Sequence, residues 1–143
     1  MRNVELILDE IGSGEEKRKS IENQIMHKAK IRIVAYNGGF DGLVTKKEIH
    51  IAKIRGLLPN GFEVHHIIPL NCKNTRLTFD NMLIMDSATH RFLHKNVYDV
   101  ALRKCKVGQL ATIFLPDFDI NSVVTYKRLD PRFIQHIKER QRE

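Results

Sequence analysis

Apolar residues are spaced unevenly along the chain, and the spacing predicts a mixed set of elements. Val4, Leu6, Ile7, Leu8 and Ile11 precede Gly12-Ser13-Gly14, which predicts a short helix ended by a flexible break. Ile21, Ile25, Ala29 and Ile33 recur every fourth residue and predict one amphipathic helix from Glu15 to about Tyr36. Its opposite face, with Lys17, Arg18, Lys19, His27, Lys28 and Arg32, is expected to be a solvated polar surface. Thr45-Lys46-Lys47-Glu48 has the form of a capping box and opens a helix reaching about Leu57. His50 lies within that helix.

Leu58-Pro59-Asn60-Gly61 stops that helix, and the β-prone run Phe62-Glu63-Val64-His65 predicts a strand. Met82-Leu83-Ile84-Met85 predicts a second strand, antiparallel to the first. Asp86-Ser87 supplies N-cap chemistry for a helix that fades at Lys104–Lys106. Further on, Ala111–Leu115 and Val123–Tyr126 suit strands. Asp130-Pro131 opens a terminal helix, Phe133 to Arg142, whose His136 reads as a surface or packing residue. The pattern predicts an α+β fold in one domain, 1–143, with a strand–strand–helix unit at about 62–104, helices at about 4–57 before it and a completing segment at 108–143.

Composition adds a bias in charge. The chain has 143 residues, formal charge +7, 42% hydrophobic and 29% charged residues, which fits a packed domain rather than disorder. Acidic residues are frequent in the first sixteen positions, leaving 23 basic against 12 acidic side chains in residues 17–143. A basic body suits a polyanionic partner such as nucleic acid. No apolar tract reaches the length of a membrane span, and no signal-peptide pattern begins the chain. A cytoplasmic site of action is therefore expected, with export only by a dedicated system. Cys72 and Cys105 form no CxxC pair and read as free thiols.

Four of the seven histidines carry the candidate chemistry. His65 and His66 are adjacent at a strand end, so their side chains point to opposite faces. His90 and His94, four apart on a helix, share one face. Together these supply three imidazoles for a borderline divalent ion at a site with an open position, and one spare histidine of the adjacent pair. A neutral histidine held close to such an ion, but not consumed as a ligand, suits a general base that activates water.

The span from about 45 to 99 resembles the HNH nucleases (ββα-metal or His-Me finger enzymes), and within them the DNase domains of nuclease colicins and pyocins. The likeness rests on His65-His66-Ile67-Ile68-Pro69-Leu70, then Asp80-Asn81, then His90-Arg91-Phe92-Leu93-His94, with the lead-in Leu57-Leu58-Pro59-Asn60-Gly61-Phe62-Glu63-Val64. The loop Asn71-Cys72-Lys73-Asn74-Thr75 departs from the glycine-rich loop of the colicin enzymes. The resemblance implies a ββα-metal core and an endonuclease that hydrolyses DNA phosphodiesters with low sequence specificity. It assigns His65, His90 and His94 as metal ligands and His66 as the base, with Asn81 bracing the loop. Arg91, Lys95, Lys73 and Arg76 are its candidate phosphate contacts. The implied cofactor is one divalent ion, zinc or nickel by ligand type, with magnesium or manganese as alternatives for activity. DNA is the implied substrate, and a toxin of this kind would have an acidic immunity protein as partner. Phage and defence nucleases share the motif. An RNA or structured-DNA nuclease, and a DNA-binding module with a structural metal, are the alternative functions.

Overall fold

The protein begins as a strand, where the sequence pattern predicts a helix. In the computed structural model, which describes residues 1–141, β1 spans Arg2–Ile7. Val4 and Leu6 are buried, while Asn3 and Glu5, which alternate with them, face solvent, the two-residue alternation of a half-buried strand. The contiguous Leu6-Ile7-Leu8 imitates a helical stripe. The deciding interaction is distant: β1 pairs antiparallel with β4 (Leu110–Leu115), with Val4 opposite Ile113 and Leu6 opposite Ala111.

The long helix expected from Glu15 is broken in two. α1 covers Ser13–Arg18 and α2 covers Ile21–Tyr36. Ser20 separates them because its side chain accepts the Asn23 N–H at 3.2 Å, a helix N-cap. The buried face of α2 also differs from the expected one. Ile21, Ile25 and Ile33 are exposed, and the inward stripe holds Asn23, Lys30, Ile31 and Val34. Lys30 is accommodated because its ammonium donates to the Phe79 carbonyl at 3.1 Å. That bond ties α2 to the turn before β3.

α3 (Lys46–Arg55) starts as the capping box requires, with the Glu48 N–H donating to Thr45 Oγ1 at 3.2 Å. It ends at Gly56, whose positive φ of 66° suits a residue without a Cβ. β2 (Phe62–His66) and β3 (Met82–Asp86) then pair antiparallel, Val64 opposite Ile84 and His65 opposite Leu83. β5 is only Val123–Val124, parallel to β3; a short 3₁₀ turn, Tyr126–Arg128, replaces the rest of the expected strand. β3 is thus the middle strand of a three-stranded sheet. Its two faces feed two apolar clusters. Leu83 and Met85 meet Val4, Leu6, Leu93 and Phe133, while Ile84 meets Ile31, Val34 and Phe40. Burial on both faces explains why β3 is a continuous apolar run rather than an alternating one.

The helix after β3 is α4 (Ser87–Leu93), a single π-helical turn (His94–Tyr98) and α5 (Asp99–Leu102). Asp86 occupies the N-cap position without a capping hydrogen bond from its side chain. Every fourth residue of an α-helix drifts about 40° around the axis. One wider turn reverses that drift, so His90, His94 and Tyr98 stay on one side of the helix. α6 (Pro131–Gln141) closes the domain by burying Phe133 and Ile137; Arg142, the last residue of the expected helix, lies outside the described residues. The architecture is mixed α/β, consistent with the α+β class. No helix among the described residues is long and apolar enough to cross a membrane.

Candidate metal centre

Two adjacent histidines at the end of β2 go to opposite sides of the sheet. His65 points toward the helix after β3. There its Nε2 lies 3.0 Å from the Tyr98 hydroxyl, which donates to the Ile67 carbonyl at 2.6 Å. Having spent its proton on Ile67, the phenol is the acceptor toward His65, so His65 carries its own proton on Nε2. Nδ1 is then a bare lone pair. It is buried and has no hydrogen-bond partner, a costly state unless something electropositive satisfies it.

His90 and His94 converge on the same place from α4 and its π turn. Their Nε2 atoms are 3.1 Å apart. Two nitrogens bound to one tetrahedral zinc stand about 3.3 Å apart, given Zn–N distances of 2.0–2.1 Å. His90 Nδ1 is hydrogen-bonded to Glu63, and Ser87 Oγ lies 3.1 Å from the other oxygen of that carboxylate. The bond with His90 holds the Glu63 carboxyl below its ordinary pKa, against a smaller opposing effect of burial. Glu63 therefore stays ionised and fixes the His90 proton on Nδ1, leaving Nε2 for an ion. One nitrogen from each of His65, His90 and His94 lies within 4.8 Å of the others. Burial and then the neighbouring histidines push the His65 and His94 pKa values down, which favours the neutral imidazoles that a metal ion needs. These three histidines could hold a divalent ion, and the tautomers imposed by Tyr98 and Glu63 suit that role.

Replacing Tyr98 with phenylalanine is expected to leave the His65 N–H and the Ile67 carbonyl unpaired in the core, at about 1–3 kcal/mol each. Zinc affinity, measured by competition with a chromophoric chelator, is expected to fall about 10–100-fold, together with a lower melting temperature. Unchanged affinity would show that the phenol does not set the tautomer.

His66 faces the other way, toward α2, and its Nε2 lies 3.2 Å from His27 Nε2. Burial first, then the charges of His27 and Arg18, lower its pKa to about 4. Burial likewise lowers that of His27. A cleft of about 260 Å³ joins the two sides, walled by Arg18, His27, Val64, His66, His90 and His94 among others. Asn81 lies outside this cleft, within the β2–β3 connection. Its side chain accepts the Ile68 N–H at 2.8 Å and donates to the Ile68 and Arg76 carbonyls at 3.1 and 2.9 Å. These bonds close the loop that follows His66.

The four basic residues singled out in the sequence do not line the histidine cleft. Arg91 and Lys95 are exposed on the helix that carries His90 and His94. Lys73 lies near Asp9, and Arg76 lines a separate cleft with Arg2, Asp80 and Asn81. The cation that does reach the histidines is Arg18, at the end of α1. His27, read in the sequence as part of a polar helix surface, is half-buried against His66. One signal could have found it: His27 lies four residues before Ile31 and seven before Val34, on the stripe that α2 buries. Cys72 is buried in the apolar core, where burial raises its thiol pKa to about 11, and both cysteines are free. His50 is exposed and far in sequence from the cluster. Comparison with protein-family models, curated proteins and solved structures yields no match.

Proposed function

We propose that the protein is a metal-dependent endonuclease of the ββα-metal (HNH) type that hydrolyses nucleic-acid phosphodiesters, DNA first among them. One observation carries this reading: three imidazoles converge on a point while a fourth, His66, stands outside the cluster and faces the same cleft. A purely structural metal site has no use for that fourth ring. A divalent ion held by His65, His90 and His94 supplies Lewis acidity toward the phosphate and the leaving oxygen.

The chain's own residues do the rest. A hydrogen bond between two imidazole nitrogens needs one donor and one acceptor. In this reading His66 Nε2–H donates to the lone pair of His27 Nε2, which leaves His66 Nδ1 free to take the proton of an attacking water. The same bond persists in the imidazolium that forms and helps to stabilise it. Burial holds His66 neutral, so it is in its acceptor form at pH 7. An anionic phosphate in the cleft raises its affinity for the proton, because a nearby negative charge favours imidazolium. Arg18 balances the phosphate charge from the open side of the cleft. The basic body adds backbone attraction without reading sequence.

Supercoiled plasmid is expected to be nicked by the protein with added magnesium, manganese, zinc or nickel, and to stay intact when a chelator is present. Absence of cutting with every one of these ions, on plasmid and on single-stranded DNA and RNA alike, would defeat the proposal. His27 is a positioning residue in this scheme. His27→Ala is expected to lower kcat roughly tenfold or more with unchanged metal stoichiometry and KM, and His27→Gln, whose amide oxygen can accept the same bond, to restore most of the rate. Equal losses in the two variants would assign His27 to packing alone.

A further inference from the structure

A second concavity adjoins the histidine cleft. It measures about 500 Å³ and runs between α2, the C-terminal end of α3 and β2. His27 and Val64 wall both spaces, so the two lie on either side of that pair of side chains. Its apolar surface comes from Ile31, Leu57, Leu58 and Val64. Gln24 and Lys28 offer polar groups at its edge. Leu57 is 61% exposed although it lies in a concave wall. A Cβ on Gly56 would come within 3.1 Å of Lys28 Cγ, so the absence of a side chain at Gly56 gives the Lys28 stem room along the wall. The Glu63 carboxylate also borders the space, but it is engaged by His90 and Ser87.

Adjacency to the cleft, apolar walls and a cation at the edge describe a site for a flat apolar body joined to an anion. Resting on the nuclease reading, we propose that this concavity is a subsite for an unpaired nucleobase next to the phosphate being cut, and that the substrate class is single-stranded or locally unpaired nucleic acid. In this arrangement the base rests on Leu57, Leu58 and Val64 while Lys28 meets the adjoining phosphate. A base within an intact duplex is stacked and paired, and must leave the helix to reach such a space. Base contacts of this kind tolerate any sequence, since every base has a flat face.

The test measures binding rather than cutting. The full chain carrying His66→Ala is titrated by fluorescence anisotropy against a labelled mixed-sequence single strand, as DNA and as RNA, and against the corresponding DNA duplex. Adding Leu57→Ala is expected to weaken single-strand binding roughly tenfold, the value of the apolar contact it removes, and to change duplex binding much less. Ile54→Ala, on α3 and as exposed as Leu57 but outside both spaces, serves as the control and is expected to change neither. Circular dichroism confirms that the variants are folded. Equal effects of Leu57→Ala on both substrates, or none on either, overturn the subsite, whatever the plasmid assay shows. Selective loss of single-strand binding supports it even if wild-type protein nicks no plasmid; the nuclease reading fails separately, if wild type cuts neither plasmid nor the single strands with any of the ions.

Discussion

His66→Ala is expected to abolish plasmid nicking and leave metal binding intact, the largest separation of effects that the site predicts. Loss of a positioned general base costs about 10²–10⁴ in rate. The three nitrogens that could hold an ion belong to His65, His90 and His94, and none of their hydrogen-bond partners is His66. The alanine removes a ring bonded to His27 on the α2 side of the sheet. It leaves the Tyr98 and Glu63 bonds on the other side untouched. Metal stoichiometry, measured by elemental analysis of dialysed protein, is expected to equal that of wild type. A variant that loses its ion along with its activity would place His66 among the ligands instead.

The second large effect is expected from His94→Ala, which removes one of the three candidate ligands. Metal affinity is expected to fall more than the 10–100-fold that loss of an outer hydrogen-bond partner costs, and nicking to fall with it. Stability offers an independent readout. For the wild type, zinc at a hundred times its dissociation constant adds about 2.7 kcal/mol, or roughly 5–10 °C in melting temperature for a domain of this size. His94→Ala is expected to lose that increment, with a melting temperature close to that of metal-free wild type. A variant that keeps the full zinc-dependent shift would contradict the assignment.

Residues whose signals are local were legible in the sequence. β2, β3 and the helix after them each announce themselves by a β-prone run, an apolar run or a helical repeat, and they place His65, His66, His90 and His94 correctly in the chain. Elements decided by distant partners were not. β1 forms on β4, more than a hundred residues away, and α2 buries Lys30, Ile31 and Val34, with Lys30 reaching Phe79, rather than Ile21, Ile25 and Ile33. That second misreading hid the surroundings of His66. With Ile21, Ile25 and Ile33 assigned inward, His27 and Arg18 became ordinary surface charges. The break at Ser20 and the inward turn of the Asn23–Val34 stripe bring His27 to His66. Glu63 and Tyr98 lie within the recognised span, yet their tautomer-setting roles follow from contacts that cross between β2 and the helix after β3. Spacing alone does not reveal such contacts.

The central claim is that three imidazoles bind one ion while His66 does not. Titrating metal-free protein with cobalt(II), and following the visible absorption of the bound ion, tests it most directly. The account predicts saturation at one equivalent for wild type and the same spectrum and endpoint for His66→Ala. It also predicts that no site saturates over the same range in His94→Ala. A wild-type protein that gives no bound-cobalt spectrum, or a His66→Ala spectrum that differs in shape and endpoint, would contradict it.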